Sequence, residues 1–350
     1  MSDSLGCILV YTIQSMKKIF AYIMIVFGSL IPVVSLAHVA YVVSPSELSE
    51  NLGPDTSYLM GIFAEPLNIL LMVGTIIGIL LVVLISKKSK RITHFFAGVS
   101  EKLTSYHEFI PWIIRLSLGI LLIGAGTEGA LISPIISNAW GYSMIQIALG
   151  FAFLLGFLLV PSALVTIGLY IVGLTQDIYL IGNIDVLALA LGLLVFHSAR
   201  PGVDDILGIS LLRFLKIERH YLALLVRVLI GIGFAYLALY EKLLNPHISE
   251  VVVMNYGLAS LIPVSPEMWV FSVGIIELIL GIFIFIGFYT RTSACVAIVV
   301  LSTTFFFFKE SVYSHVTLFG ILSIIAIEGG GMLSIDRFFQ NRKNVIQQNS

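Results

Sequence analysis

Residues 267–289 read EMWVFSVGIIELILGIFIFIGFY. After Glu267 only one carboxyl, Glu277, interrupts the run, and the stretch is long enough to cross a bilayer core as a helix, which takes roughly 20 apolar residues. The alternation of apolar and polar residues that marks a barrel strand is missing. Working outward, similar runs lie at 19–43, 66–86, 112–133, 143–160, 163–181, 184–199, 222–241, 292–308 and 315–333, which makes ten predicted spans in all. The composition agrees. Of 350 residues, 58% are hydrophobic and only 11% are charged, with a mean hydropathy of +1.04. Soluble domains carry about 25% charged residues, so an ordinary soluble enzyme and a disordered chain are both excluded.

A formal net charge of −1 leaves no basic stripe for nucleic acid. Cys7 and Cys295 form neither CxxC nor CxxCH, so the sequence offers no disulfide framework, zinc knuckle or haem attachment. Only His197 of the histidines falls well inside a span, which leaves a bis-histidine haem without ligands. His38, His247 and His315 accompany Glu250 and Glu310 on one side of the membrane. None forms an HxxH or HxH pair, so they read as scattered, solvated residues and no metal site is expected.

Lysine and arginine set the orientation. With the N-terminus in the cytoplasm and ten spans, only Lys242 and Lys309 of the 19 basic residues fall outside. The expected location is the plasma membrane of a prokaryote-like cell, multi-pass, with the C-terminus cytoplasmic. Met16-Lys17-Lys18 opens the first apolar run, and Ser35-Leu36-Ala37 offers a signal-peptidase site before His38. That helix is therefore a cleaved signal peptide or a retained anchor, and Met16 is an alternative start.

An internal repeat runs through the rest. Arg115-x-x-x-Gly119-Ile120 recurs as Arg227-x-x-x-Gly231-Ile232, and Pro134 as Pro246. Beyond a longer loop in the second copy, Leu149-Gly150 matches Leu280-Gly281, Gly156-Phe157 matches Gly287-Phe288, and Asp205 matches Asp336. Each copy holds four spans, so the copies are parallel and not inverted. The predicted fold is an all-α polytopic membrane protein: two parallel four-helix bundle repeats plus an N-terminal signal or anchor helix and one additional transmembrane helix. The expected divisions are 1–43 (signal or anchor), 44–110 (outer loop, one span, amphipathic segment), 111–206 (first unit), 207–224 (amphipathic linker), 225–337 (second unit) and 338–350 (tail). The outer loop within 44–65 reads as mobile, and 245–266 as a cover over the second unit's mouth.

The second copy resembles the DoxX family of four-helix membrane proteins over 225–337. The matching pieces are Arg227-x-x-x-Gly231, Glu241-Lys242-Leu243 with Pro246, Glu277-x-x-x-Gly281 running into Gly287-Phe288-Tyr289-Thr290-Arg291, and Gly329-Gly330-Gly331-Met332-Leu333-Ser334-Ile335-Asp336. The first copy is a degenerate relative: Glu277, Lys242 and Arg291 become Gln146, Ala130 and Val160. The resemblance implies a redox connection, because some family members are similar to subunits of membrane thiosulfate:quinone oxidoreductases.

Glu277 is the leading chemical candidate. An ionised carboxylate at mid-span costs at least about 2.5 kcal/mol, so it is suited to hold a proton and exchange it with a quinone/quinol couple. The competing reading is a neutral glutamate that only packs helices together. Arg227 and Glu328 lie at matching depth and are expected to pair in support, with Arg115 and His197 as their counterparts, unless both arginines snorkel. Three functions fit these residues: a membrane subunit of a quinone-linked oxidoreductase with a soluble or membrane redox partner, a small-solute carrier or channel, and an assembly scaffold without enzymatic activity.

Overall fold

The computed structural model describes residues 39–55, 57–70, 72–74, 76–78, 98–137, 140–195, 201–209, 219–260, 264–339 and 341. Two short helices come first, α1 (Pro45–Asn51) and α2 (Ser57–Ala64). The first unit holds α3 (Ile110–Thr127), α4 (Trp140–Leu155), α5 (Leu159–Gln176) and α6 (Ile184–Val195), and a short α7 (Val203–Ile206) follows. The second unit holds α8 (Leu222–Leu237), α9 (Pro246–Asn255), α10 (Pro266–Ile286), α11 (Thr290–Phe308) and α12 (Val312–Glu328). Among the described residues, six helical stretches are long and apolar enough to cross a membrane, and α4 and α12 are shorter apolar helices of the same kind. Helix Ser57–Ala64 meets Pro66–Gly78 at 81°, as a broken span or a re-entrant loop. Residues 19–38 of the predicted span at 19–43, with His38, as well as His197 and the linker residues 210–218, lie outside the described residues.

The two units are wired alike. In each, the first helix packs on the second (α3 on α4, α8 on α10) and the third on the fourth (α5 on α6, α11 on α12). Between units, the first helix of each packs on the last of the other: α3 on α12, and α8 on α6. These four helices form the centre. Lipid removes the hydrophobic drive between helices, so their approach depends on small residues. Gly119 on α3 faces Gly150 on α4, where an added Cβ would stand 3.0 Å from the Gly150 carbonyl oxygen. Gly231 and Gly281 repeat this crossing between α8 and α10, at 2.9 Å.

The far ends of the second helices also match. Gly156 and Gly287 both adopt φ +69°, and Leu158 and Tyr289 follow at +46° and +47°. An aspartate caps the next helix in each case. Asp336 accepts the Tyr289 and Thr290 amides at 2.8 and 2.9 Å, and Asp204 accepts those of Leu158 and Leu159 at 2.7 and 3.0 Å. The counterpart of Asp336 is therefore Asp204 and not Asp205, whose carboxylate turns back on the Gly202 amide.

Two local expectations fail for clear reasons. The helix expected over 112–133 stops at Thr127. Gly129 takes φ +68°, and 130–137 form a small antiparallel hairpin, β1 (Ala130–Leu131) and β2 (Ser133–Ser137). Pro134 has no amide hydrogen with which to continue a helix. The loop expected to be mobile within 44–65 contains α1 and α2. Ser44 and Glu47 cap α1 reciprocally and Pro45 occupies its first turn, the residue pattern of a helix start.

Candidate functional site

At the end of α8 the chain does not stop helically. Ala238–Leu244 continue as a π-helical segment, a rare wider winding found most often at functional positions. The widened turn turns two sequence neighbours inward together: Glu241 and Lys242 are each only 1% exposed. Across from them, midway along α10, Glu277 is fully buried. The Lys242 ammonium stands 2.9 Å from Glu241 Oε2 and 2.9 Å from Glu277 Oε2. Apart from that contact, the Glu277 oxygens meet no hydrogen-bond donor among the described residues.

The rest of the chain closes around this triad. Glu241 Oε1 accepts the hydroxyl of Tyr179, from the first unit, and the Val39 amide at 3.1 Å, from the N-terminal segment. Carbonyls freed at the end of a helix need donors. Ser249 Oγ donates to the Glu241 carbonyl at 3.0 Å and Tyr58 Oη to that of Lys242 at 2.6 Å. Beside Lys242 lies a cavity of about 30 Å³, lined mainly by Val39, Val252, Val253, Trp269, Val270 and the Ser249 hydroxyl. That is space for little more than a water or two.

The segment over this end is tied by polar contacts. His247 bridges Glu250 (2.9 Å) and Asp55 (3.1 Å), and the Asp55 amide donates to the Leu244 carbonyl at 2.9 Å. The bond to Glu250 outweighs partial burial and raises the pKa of His247; hydrogen bonds from Ser57 lower that of Asp55. A second pair, His315 and Glu310, is buried at the same end with Nε2 and Oε2 3.1 Å apart. Each of the two faces a carboxylate, but only His315 departs from the solvated state expected; His247 keeps 44% of its side chain exposed.

The arginine end corrects another expectation. Arg227 does not pair with Glu328. Its Nη2 donates to the Met332 and Leu333 carbonyls at 3.1 and 3.2 Å, just past the end of α12. Arg115 does the same work in the first unit, reaching Phe153 (2.9 Å), Leu154 (2.9 Å) and Pro201 (2.7 Å) carbonyls. Both arginines are buried staples between helix ends and do not snorkel. Glu328 contacts His107 at 3.0 Å instead, and Arg291 holds the neighbouring Ile327 carbonyl at 2.9 Å. Equal depth therefore did not mean equal side: the two residues leave their helices in different directions. Of the three expected site residues, the triad contains only Glu277. The members missed, Glu241 and Lys242, had one legible signal, a carboxylate and an ammonium side by side inside an apolar run; their neighbour Tyr179 had none.

The fold and this buried ionic centre define a helical, multi-pass integral membrane protein. Residues 222–310 match the family model of DoxX. The match covers the second unit up to the end of α11, stops before α12, and carries Glu241, Lys242, Glu277 and Glu310. No curated protein and no solved structure matches the chain.

Proposed function

We propose that the chain is the membrane subunit of a quinone-linked redox complex, and that its own part in the chemistry is a one-proton site made by Glu241, Lys242 and Glu277. The carrying observation is two carboxylates on one ammonium, all buried. Fully ionised, the group keeps one uncompensated negative charge in a low-dielectric interior; a single added proton neutralises it. A buried charge left unpaired costs about 3–5 kcal/mol, which favours proton uptake at this place. The 30 Å³ cavity does not fit a quinone ring, since small-molecule pockets run to about 300 Å³ or more. The reading accordingly places the quinone and its electron donor outside this cavity, with a partner subunit, and no step is assigned to them.

The two matching sets of helix contacts support an origin by duplication, with units near 111–206 and 225–337. The basic-residue distribution supports a plasma-membrane protein whose triad end faces outward and whose C-terminus is cytoplasmic.

The test is reduction of duroquinone, with thiosulfate as the electron donor, by the complex purified from native membranes with this chain. Glu277→Gln keeps the shape and removes the acid, and should lower the rate about 100-fold, the lower end for general acid–base groups, with assembly unchanged. If Glu277→Leu assembles and turns over at the wild-type rate, the reading is wrong.

A further inference from the structure

The pair Glu310–His315 lies outside the triad and has a proton count of its own. Ser314 Oγ has one hydrogen, and its shortest contact is to the Ser311 carbonyl at 2.7 Å, which can only accept. The Ser314 oxygen then accepts from His315 Nδ1 at 2.9 Å, so the ring carries its hydrogen on Nδ1. In that tautomer Nε2 presents a lone pair, and it points at Glu310 Oε2 from 3.1 Å. Neither atom has another hydrogen-bond partner among the described residues, and neither does Glu310 Oε1. The side chains are 1% and 2% exposed. Two acceptors held face to face away from water repel unless a proton lies between them, on the carboxyl or on the ring.

We propose that Glu310 and His315 form a second proton-binding site, coupled to the triad so that a proton taken up at one favours release at the other. This deepens the proton-site reading above and rests on it only for the coupling. The titratable groups around the pair are Tyr41 of the N-terminal segment, whose ring stands edge-on to His315 at 5.6 Å, and Glu241 of the π-helical segment; Asp185 of α6 acts on the same Tyr41. Burial first, and the charge of Glu241 second, raise the Glu310 carboxyl to about 8. Because linkage is reciprocal, neutralising Glu241 must loosen the proton on Glu310.

Infrared difference spectra of the full chain in lipid nanodiscs, titrated from about pH 6 to about pH 10 around the ordinary ranges of these groups, read the site directly. The expected result is a protonated-carboxyl band lost with a midpoint near 8. It should be absent in Glu310→Gln, present in Glu277→Gln, and shifted to a lower midpoint in Glu241→Gln. A spectrum unchanged by Glu310→Gln overturns the site, and an unmoved midpoint in Glu241→Gln overturns the coupling. Should Glu310→Gln not fold, wild-type protein treated with dicyclohexylcarbodiimide gives the answer by peptide mass mapping. Labelling of Glu310 that fades through the same midpoint supports the site, and no labelling at any pH refutes it. Neither readout involves turnover, so failure here and failure of the redox reading are separable.

Discussion

In the second unit Lys242 reaches across to Glu277; in the first, Gln146 occupies the position of Glu277 and turns to the backbone. Its Nε2 donates to the Ala130 carbonyl at 2.8 Å, and its Oε1 accepts the Ile132 amide at 2.9 Å. The helix that would carry a lysine ends early, and the hairpin supplies neutral partners in its place. One polar bridge between the first and second helices has thus been kept in both halves, in ionic form in one and amide form in the other. A bridge alone can be made without charge, so what the charged version adds is a question that substitution can answer.

The comparison breaks most sharply at Lys242. Lys242→Met strands two buried carboxylates and should cost about 3–5 kcal/mol, read as a loss of thermal stability in detergent. Adding Glu241→Gln and Glu277→Gln to it should recover most of that loss. Gln146→Leu in the first unit, which leaves one amide and one carbonyl unpaired, should cost less, about 1–3 kcal/mol. Equal losses from Lys242→Met and Gln146→Leu would mean that the ionic bridge is a strut no different in strength from the amide one. The capping aspartates sharpen the likeness. Asp204→Ala and Asp336→Ala should each cost about 0.5–2 kcal/mol, and a large inequality would show that the matching turns bear different loads.

The smallest effect concerns the cover that only the second unit has. His247 carries a raised pKa between Glu250 and Asp55, so its contribution is complete below the unfolded value of about 6.5 and fades as pH rises through the folded value. Hydrogen exchange in residues 44–64 should speed up on going alkaline, and this response should vanish in His247→Gln. Exchange that slows with rising pH, after correction for the intrinsic rate, would contradict this role for His247.

Much of this architecture was open to reading in the sequence. Apolar runs gave the six helical stretches long enough to cross a membrane among the described residues, and Arg115/Arg227 with the Gly119/Gly231 and Gly150/Gly281 motifs marked equivalent crossings, because close helix approach leaves room for little else. Glu277 stood out as a carboxyl in an apolar run, and it is buried. What could not be read depends on direction and winding. Arg227 and Glu328 were matched by depth alone, and depth does not fix which face of a helix a residue leaves from. The π-helical winding at Ala238–Leu244 has no composition of its own, so the joint inward turn of Glu241 and Lys242 was hidden. Tyr179, far along the chain, joins Glu241 only through packing of one unit on the other.

That last contact has a practical consequence for anyone trimming the chain. The phenol that completes the Glu241 carboxylate comes from the half that has lost its own charged bridge, and the amide beside it comes from Val39. A fragment cut to residues 222–310 would keep every acid and base of the triad yet lose both of these donors, together with α12. The first half is thus a missing wall for the second, and biochemistry on an isolated domain would report on a chamber left open on one side.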